Sequence, residues 1–125
     1  MFVIDDDLTI HITRGDAAIV AFTATIGGTN YEFKVDDVVR FKVFAKKGCD
    51  DVVLIKDVTV TEPTSTVEFF FEKKDTTIGD VISKPVDYWY EVELNPETRP
   101  QTMLGYDEDG AKVFKLYPEG GVANE

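Results

Sequence analysis

The sequence has few of the residues on which disulfide, metal and nucleophilic sites depend. It contains one cysteine, Cys49, and one histidine, His11. A single cysteine cannot form an intramolecular disulfide. One cysteine and one histidine also fall short of the four ligands of a structural zinc site unless acidic side chains complete it. We therefore expect neither a disulfide scaffold nor a metal centre built from these residues.

Sequence signatures of enzymes are missing as well. The chain has no nucleophile elbow, no phosphate-binding loop and no dinucleotide-binding glycine motif. His11 lies between two threonines on the polar side of a predicted strand, which favours a solvated side chain over a general base. We expect a protein with no catalytic residues and no cofactor.

Long apolar runs and an excess of basic residues are also absent. No run of about 18 apolar residues occurs, and the N-terminal letters MFVIDDD have neither region of a signal peptide. With 24 acidic and 13 basic residues, the net charge of −11 disfavours nucleic acid and anionic membranes as partners. We expect synthesis in a reducing cytoplasm, or export by a route that uses no signal peptide.

Alternation of apolar and polar residues is the dominant pattern in the chain. A length of 125 residues indicates one domain, and 43% hydrophobic residues argue against disorder. Alternation with a period of two predicts strands rather than helices. The predicted strands cover residues 8–13, 18–25, 31–35, 39–46, 52–60, 66–72, 86–94, 102–106 and 113–117.

Strands of this length and spacing predict an antiparallel two-sheet β-sandwich of about seven to nine strands. The single domain spans residues 1–125, with a folded core over 8–117 and a flexible tail over 118–125. The residues expected in the core are Val20, Phe22, Phe41, Val43, Val67, Phe69, Tyr88, Tyr90 and Val92.

Three local features of this sandwich are also predicted. Lys56 and Asp57 fall on opposite faces of their strand, which indicates an edge strand or a bulge. Asp75 is expected to cap one helical turn that ends at Gly79. Residues 102–106 and 113–117 are expected to pair as a hairpin through a turn at residues 107–110.

Two short motifs have ordinary turn explanations. Asp107, Asp109 and Gly110 are the best local match to a calcium loop, but the downstream glutamate of such a loop is missing, which favours a hairpin turn. The tripeptide Arg14-Gly15-Asp16 is the one that integrins bind, but its place between two strands favours a tight turn. Several acidic loops at one end of a sandwich remain a possible ion site.

Four large apolar residues lie on the polar faces of their predicted strands: Ile19, Phe44, Phe70 and Trp89. In an immunoglobulin-like fold, the strands of Phe44 and Trp89 are neighbours in one sheet, and those of Ile19 and Phe70 are neighbours in the other. Paired aromatic side chains on an outer sheet face mark either a partner contact or the cover of a local loop. We take all four as candidate partner-binding residues.

The chain also resembles the immunoglobulin-like N-terminal domain of phage upper baseplate proteins and related prophage tail proteins. The resemblance covers about residues 8–117 and is carried by ITRGD at 12–16, VAFT at 20–23, Gly28, Tyr31, DVVRFKV at 37–43, DT at 75–76 and DYWYEVEL at 87–94. In that family a long further chain follows the sandwich, so the receptor-binding scaffold role of that part is not carried over.

This resemblance implies a non-enzymatic structural protein of the virion, an adaptor domain of the tail or baseplate. Its expected partners are other virion proteins or further copies of itself, since such rings are symmetric. It implies assembly in the cytoplasm of a bacterial host and a final location in the particle. The alternative is a module that binds carbohydrate or another small ligand on a sheet face, with Trp89 as a stacking platform.

Overall fold

The structure is a computed structural model that describes residues 1–26, 28–46, 50–105 and 112–119. The strands in this part of the chain are β1 (Phe2–Ile4), β2 (Ile10–Thr13), β3 (Ala18–Phe22), β4 (Thr25–Ile26), β5 (Thr29–Asn30), β6 (Val38–Lys46), β7 (Asp50–Thr59), β8 (Val67–Phe71), β9 (Val86–Leu94), β10 (Gln101–Leu104) and β11 (Lys112–Tyr117). One short helix, α1 (Lys73–Thr76), follows β8. Cys49 and the predicted turn at residues 107–110 lie outside the described residues.

The larger sheet has the strand order β1-β2-β11-β9-β6-β7, and β10 pairs with the end of β9. Its neighbouring strands are antiparallel except β2 and β11, which run parallel, with Ile10 opposite Phe114 and Ile12 opposite Leu116. The parallel pair differs from the predicted antiparallel sheets. Side chains alternate with a period of two in either orientation, so the alternation does not indicate strand direction.

The smaller sheet pairs β3 with β8 and packs its inner face on the larger sheet. Phe41 of β6 lies between them. Its ring stacks on Tyr90 with centroids 5.0 Å apart, and it contacts Phe69 and Phe71 of β8 at 5.4 and 5.2 Å. Two sheets around one apolar core confirm the predicted all-β sandwich.

The strand order has the immunoglobulin-like form. In a variable-type domain, G, F, C and C′ are neighbours in one sheet and B and E lie in the other, which corresponds here to β11-β9-β6-β7 and β3-β8. The predicted neighbour relations are confirmed: Phe44 lies opposite Trp89, and Ile19 lies opposite Phe70. Strands β1, β4 and β5 raise the number above the predicted seven to nine.

The predicted core is confirmed except at two positions. Phe22 and Tyr88 are half-buried and pack against the core cluster from its margin. The remaining predicted core residues are buried: Val20, Phe41, Val43, Val67, Phe69, Tyr90 and Val92.

The folded part extends beyond the predicted limits of residues 8–117. At the N-terminus, β1 begins at Phe2. At the C-terminus, Pro118 is buried and Glu119 accepts a hydrogen bond from Arg14. The rest of the predicted tail, residues 120–125, lies outside the described residues.

Strand β7 has both features predicted from Lys56 and Asp57. It is the last strand of the larger sheet, and its pairing with β6 contains a register shift between Val43 and Phe44. The Asp57 carboxylate accepts two hydrogen bonds from Arg40 on the outer face, whereas Lys56 reaches Asp75 of α1. The edge strand and the bulge are confirmed.

The predicted hairpin between residues 102–106 and 113–117 is wrong. Both β10 and β11 pair with β9 instead, with Gln101 opposite Leu94 and Leu116 opposite Val86. The loop after β9 returns the chain directly along that strand, because the backbone N–H groups of Thr98 and Arg99 both donate to the carbonyl of Asn95. Apolar alternation in a short strand does not specify its partner.

The predicted cap of the helical turn is also wrong. Glu72, not Asp75, is the N-cap of α1, and the Asp75 carboxylate accepts a hydrogen bond of 2.8 Å from the backbone N–H of Glu72. An acidic residue at the third helical position is the second member of a capping box. Asp75 therefore stabilises the helix start from inside the helix.

Candidate functional site

Phe44 and Trp89 do not form the exposed apolar centre predicted for the outer face of the larger sheet. The Phe44 side chain is only 2% exposed, and Trp89 is half-buried. Lys42 holds its ammonium 5.7 Å from the centroid of the Phe44 ring, within the range of a cation–π contact. Val43 and Phe44 are consecutive buried residues on opposite faces of β6, because the pairing of β6 with β9 is regular there and the extra residue of the bulge is Val53 of β7.

Ion pairs dominate the rest of this outer face. The Lys42 ammonium lies 2.6 Å from a carboxylate oxygen of Glu93 and 3.3 Å from one of Glu91. Burial alone would lower the pKa of Lys42, but the two carboxylates outweigh it and raise that pKa. Arg40 bridges Asp57 and Glu97 nearby. This face is covered by paired charges and is a poor apolar contact surface.

Ile19 and Phe70 form an exposed apolar pair on the outer face of the smaller sheet. They lie directly opposite each other across β3 and β8 and are 51% and 57% exposed. Their backbone neighbours Val20 and Phe69 are buried. A cross-strand pair brings two side chains within about 4.5–5.5 Å at their Cβ atoms. The structure therefore brings these two predicted residues together and keeps them exposed.

The surroundings of this pair are apolar at the centre and charged at the margin. A shallow hollow of about 460 Å³ beside it is lined by Ala17, Ala18, Ile19, Phe70, Phe71, Glu72 and Lys73. The next cross-strand pair on the same face is Ala21 with Glu68. An apolar centre with a polar rim is the usual anatomy of a protein contact surface. We refer to Ile19, Ala21, Phe70 and the hollow as the β3–β8 face.

A larger apolar groove opens between the two sheets on the other side of β3. Its volume is about 740 Å³, and its lining is Ile4, Leu8, Ile10, Val20, Ala21, Phe22, Thr23, Ala24, Thr25, Phe41, Tyr90, Val92, Gln101, Thr102, Met103 and Leu104. Core side chains form its floor, among them Ile10, Phe41 and Val92, each 1% exposed. We refer to this space as the inter-sheet groove.

The polar groups at the groove are hydroxyls and one amide. Tyr90 donates its phenolic hydrogen to the backbone carbonyl of Leu8, and burial followed by the nearby Asp7 carboxylate raises the pKa of Tyr90 above its usual range. The described lining contains no carboxylate, imidazole or thiol. Such a lining is suited to binding an apolar segment.

The sequence analysis did not predict the inter-sheet groove. The available signal was that residues 18–22 are apolar on both faces, since Ile19 and Ala21 accompany Val20 and Phe22. A strand that is apolar on both faces packs only one of them on the core, so the other face needs a separate apolar contact.

His11 is held at both ring nitrogens. Its Nδ1 lies 2.7 Å from the Tyr117 hydroxyl, and its Nε2 lies 2.6 Å from the Asp5 carboxylate. The ring is half-buried, so the predicted solvated side chain is instead a bridge between the N-terminal loop and β11. This contact joins two chain ends and faces neither the groove lining nor the β3–β8 face.

The Arg14-Gly15-Asp16 tripeptide has a structural role. Arg14 is 8% exposed, and its guanidinium donates hydrogen bonds to the carbonyls of Ile78 and Gly79 and to the Glu119 carboxylate. Gly15 adopts a φ of 86°, which favours glycine. The tight-turn interpretation of the sequence agrees with this geometry.

The described part of the chain has neither a metal-binding cluster nor a membrane-spanning helix. It holds no group of three or more His, Cys, Asp or Glu side chains arranged to bind a metal ion. Asp107 and Asp109 of the calcium-loop match lie outside the described residues. None of its helices has the length and apolar character needed to cross a membrane.

Comparison with protein-family models, with curated proteins and with solved structures finds no match for this chain. The β3–β8 face and the inter-sheet groove are the two candidate sites of the described residues.

Proposed function

We propose that this domain is a non-enzymatic structural adaptor of a phage or prophage particle, which docks into the tail or baseplate through its β3–β8 face. The observation that supports this proposal is the exposed cross-strand pair of Ile19 and Phe70. Large apolar side chains that lie together on a sheet face are typical of contact surfaces, and aromatic anchors there carry much of the binding energy.

The charges at the margin of the β3–β8 face indicate which kind of partner surface fits it. Glu68 and Glu72 flank the apolar pair, and the chain has a net charge of −11. Lys73 also lies at this margin, so the preference for a partner surface with basic residues around an apolar socket comes from the net negative charge of the chain. The resemblance to baseplate domains supplies the setting, a tail or baseplate assembled in the bacterial host cytoplasm.

Particle incorporation tests this function with two variants and one control. Ile19→Glu and Phe70→Glu place a carboxylate at the centre of the β3–β8 face, where desolvation without a partner is unfavourable. Ile55→Glu is the matched control, because Ile55 is 50% exposed on edge strand β7. We expect particles from a host carrying the gene to contain the wild-type chain and the control variant.

The two face variants should be depleted from purified particles by about tenfold or more, since losing an aromatic anchor commonly costs about 2 kcal/mol of binding. Quantitative immunoblotting of gradient-purified particles measures this ratio. Absence of the wild-type chain from particles contradicts the virion function. Normal incorporation of both face variants, with loss of glycan-array binding in Trp89→Ala, favours the carbohydrate alternative.

A further inference from the structure

Strand β3 has one unpaired edge in the described part of the chain. It pairs with β8 on one side, and no described strand pairs with the other. Strand β10 is similar, since it pairs with β9 alone. An unpaired edge presents a row of backbone N–H and C=O groups that an added strand satisfies.

The inter-sheet groove runs along these two edges. Its lining includes residues 20–22 at the end of β3, the following residues 23–25 that lead into β4, and residues 101–104 of β10. Successive side chains of a strand point to opposite faces, so a space that touches every residue of a run lies beside the edge of the strand. The groove thus lies beside the unpaired edges of β3 and β10.

The apolar floor of the groove determines which side chains an inserted strand must direct into it. Buried Ile10, Phe41 and Val92 form this floor, and the described lining has no charged side chain. An inward-facing charge would lose its hydration without gaining a partner. The inserted strand therefore needs apolar side chains at alternate positions, as in strand addition to other exposed sheet edges.

Charge at the groove margin favours a partner other than a second copy. Asp5, Asp6 and Asp7 are exposed and lie between two lining residues, Ile4 and Leu8. A basic residue at one end of the inserted strand would meet these carboxylates. A second copy would bring another net charge of −11, which opposes association.

We propose that the inter-sheet groove receives an extended segment of a different protein, with alternate apolar residues and basic ends, which pairs with the free edge of β3. This inference rests on the proposed contact function and names the chemistry of the partner segment. It makes the domain a sandwich that is completed by a strand from its neighbour in the assembly.

Hydrogen exchange with a synthetic probe tests the proposal on the full chain. The probe is a peptide of about seven alternating valine and threonine residues with a lysine at each end, and its matched counterpart has glutamate ends. We expect the lysine-ended peptide to slow exchange at alternate amides of Ala18–Phe22 by about tenfold or more, because pairing buries their N–H groups. Amide exchange followed by NMR measures this protection.

Fluorescence anisotropy measures the affinity of the protein for each peptide and so tests whether binding is specific. The glutamate-ended peptide should bind about tenfold more weakly. Met103→Glu and Thr23→Glu place a carboxylate in the lining and should weaken binding by about tenfold or more. Thr23 is exposed, so its variant is expected to fold, and Val35→Glu is a control at a 51% exposed position outside the lining.

Each contrary result overturns the proposal. Three results exclude the groove as the strand site. In the first, the lysine-ended peptide fails to slow amide exchange at β3, and in the second it protects β7 instead. In the third, Met103→Glu and Thr23→Glu bind the peptide as tightly as the wild type does. Slowing at β3 that follows protein concentration without peptide identifies a second copy as the occupant. Phe70→Glu, on β8 and outside the groove lining, should bind the peptide normally, so a failed particle experiment with intact peptide binding contradicts only the virion function.

Discussion

Phe41 is the side chain at which the two sheets meet. It stacks on Tyr90 of β9, contacts Phe69 and Phe71 of β8, and lies 6.4 Å from Phe114 of β11. Its ring is 1% exposed, so each of these contacts lies inside the core. Neighbours on three strands converge on one ring, which limits how far the core can collapse if that ring is removed.

Truncation of Phe41 should therefore be costly. We expect Phe41→Ala to lower the free energy of unfolding by about 3–5 kcal/mol, through lost burial and the cavity left behind. Phe70→Ala is the matched control because its ring is 57% exposed, and it should cost less than about 1 kcal/mol. Urea denaturation followed by tryptophan fluorescence measures both values. Equal losses at the two positions would show that Phe41 is not central to the core.

The short helix α1 is fixed to edge strand β7 by one ion pair. The Lys56 ammonium lies 3.0 Å from the Asp75 carboxylate, which is 9% exposed and also accepts the N–H of Glu72. Burial alone would raise the pKa of Asp75, but the hydrogen bond from Glu72 and the Lys56 charge outweigh it and hold that pKa below its usual value of 3.8.

The lowered pKa of Asp75 determines the direction in which the stability of the protein changes with pH. The unfolded chain binds the Asp75 proton at a higher pH than the folded chain does, so the stabilisation is complete above pH 3.8 and is lost as the pH falls through the folded pKa. We expect the stability difference between wild type and Asp75→Asn to be largest near pH 6 and to shrink below about pH 4.

Urea denaturation at a series of pH values measures this difference. In a Lys56→Met background the stability difference caused by Asp75→Asn should change less with pH, because one of the two contacts that stabilise the Asp75 carboxylate is gone. A difference that stays constant from neutral pH down to about pH 2 would contradict the role of the Asp75 charge.

Patterns within single strands predicted the sandwich and one of its two candidate pairs. Ile19 and Phe70 were predictable because β3 and β8 alternate regularly over their whole paired length. Phe44 was not, since part of its cover is the Lys42 ammonium, which pairs with Glu91 and Glu93 of the neighbouring strand β9. The β10 pairing and the parallel β2–β11 pair depend on which edges are free after the rest has folded.

The inter-sheet groove could not be predicted for the same reason. Its lining comes from strands distant in the chain, and it exists because no described strand pairs with the second edge of β3. Sequence alternation reports the faces of a strand but not its edges.

At the scale of the whole molecule, acidic charge exceeds what the ion pairs neutralise. The net charge is −11, although Arg40, Lys42 and Lys56 are each paired with carboxylates. A charge this far from zero destabilises the compact state through repulsion among unpaired carboxylates. Salt largely screens the repulsion between exposed charges that are more than about 10 Å apart at 0.1 M ionic strength.

Added salt should therefore stabilise the fold. We expect the melting temperature to rise by about 3–6 °C between low salt and about 0.5 M sodium chloride, which corresponds to about 1 kcal/mol for a domain of this size. Thermal denaturation by circular dichroism over a series of salt concentrations measures the shift. A falling melting temperature would show that the surface ion pairs outweigh the repulsion.

The parallel pairing of β2 with β11 bears on how the protein is made. His11 and Tyr117, which meet across this pair, are 106 positions apart in the chain. The ribosome releases residues at about 5–20 per second, so β2 waits several seconds for its partner. Contacts this distant in sequence also slow folding. Strand β2 therefore stays without this partner until residue 117 has been synthesised, and its pairing edge is open to other strands during that interval.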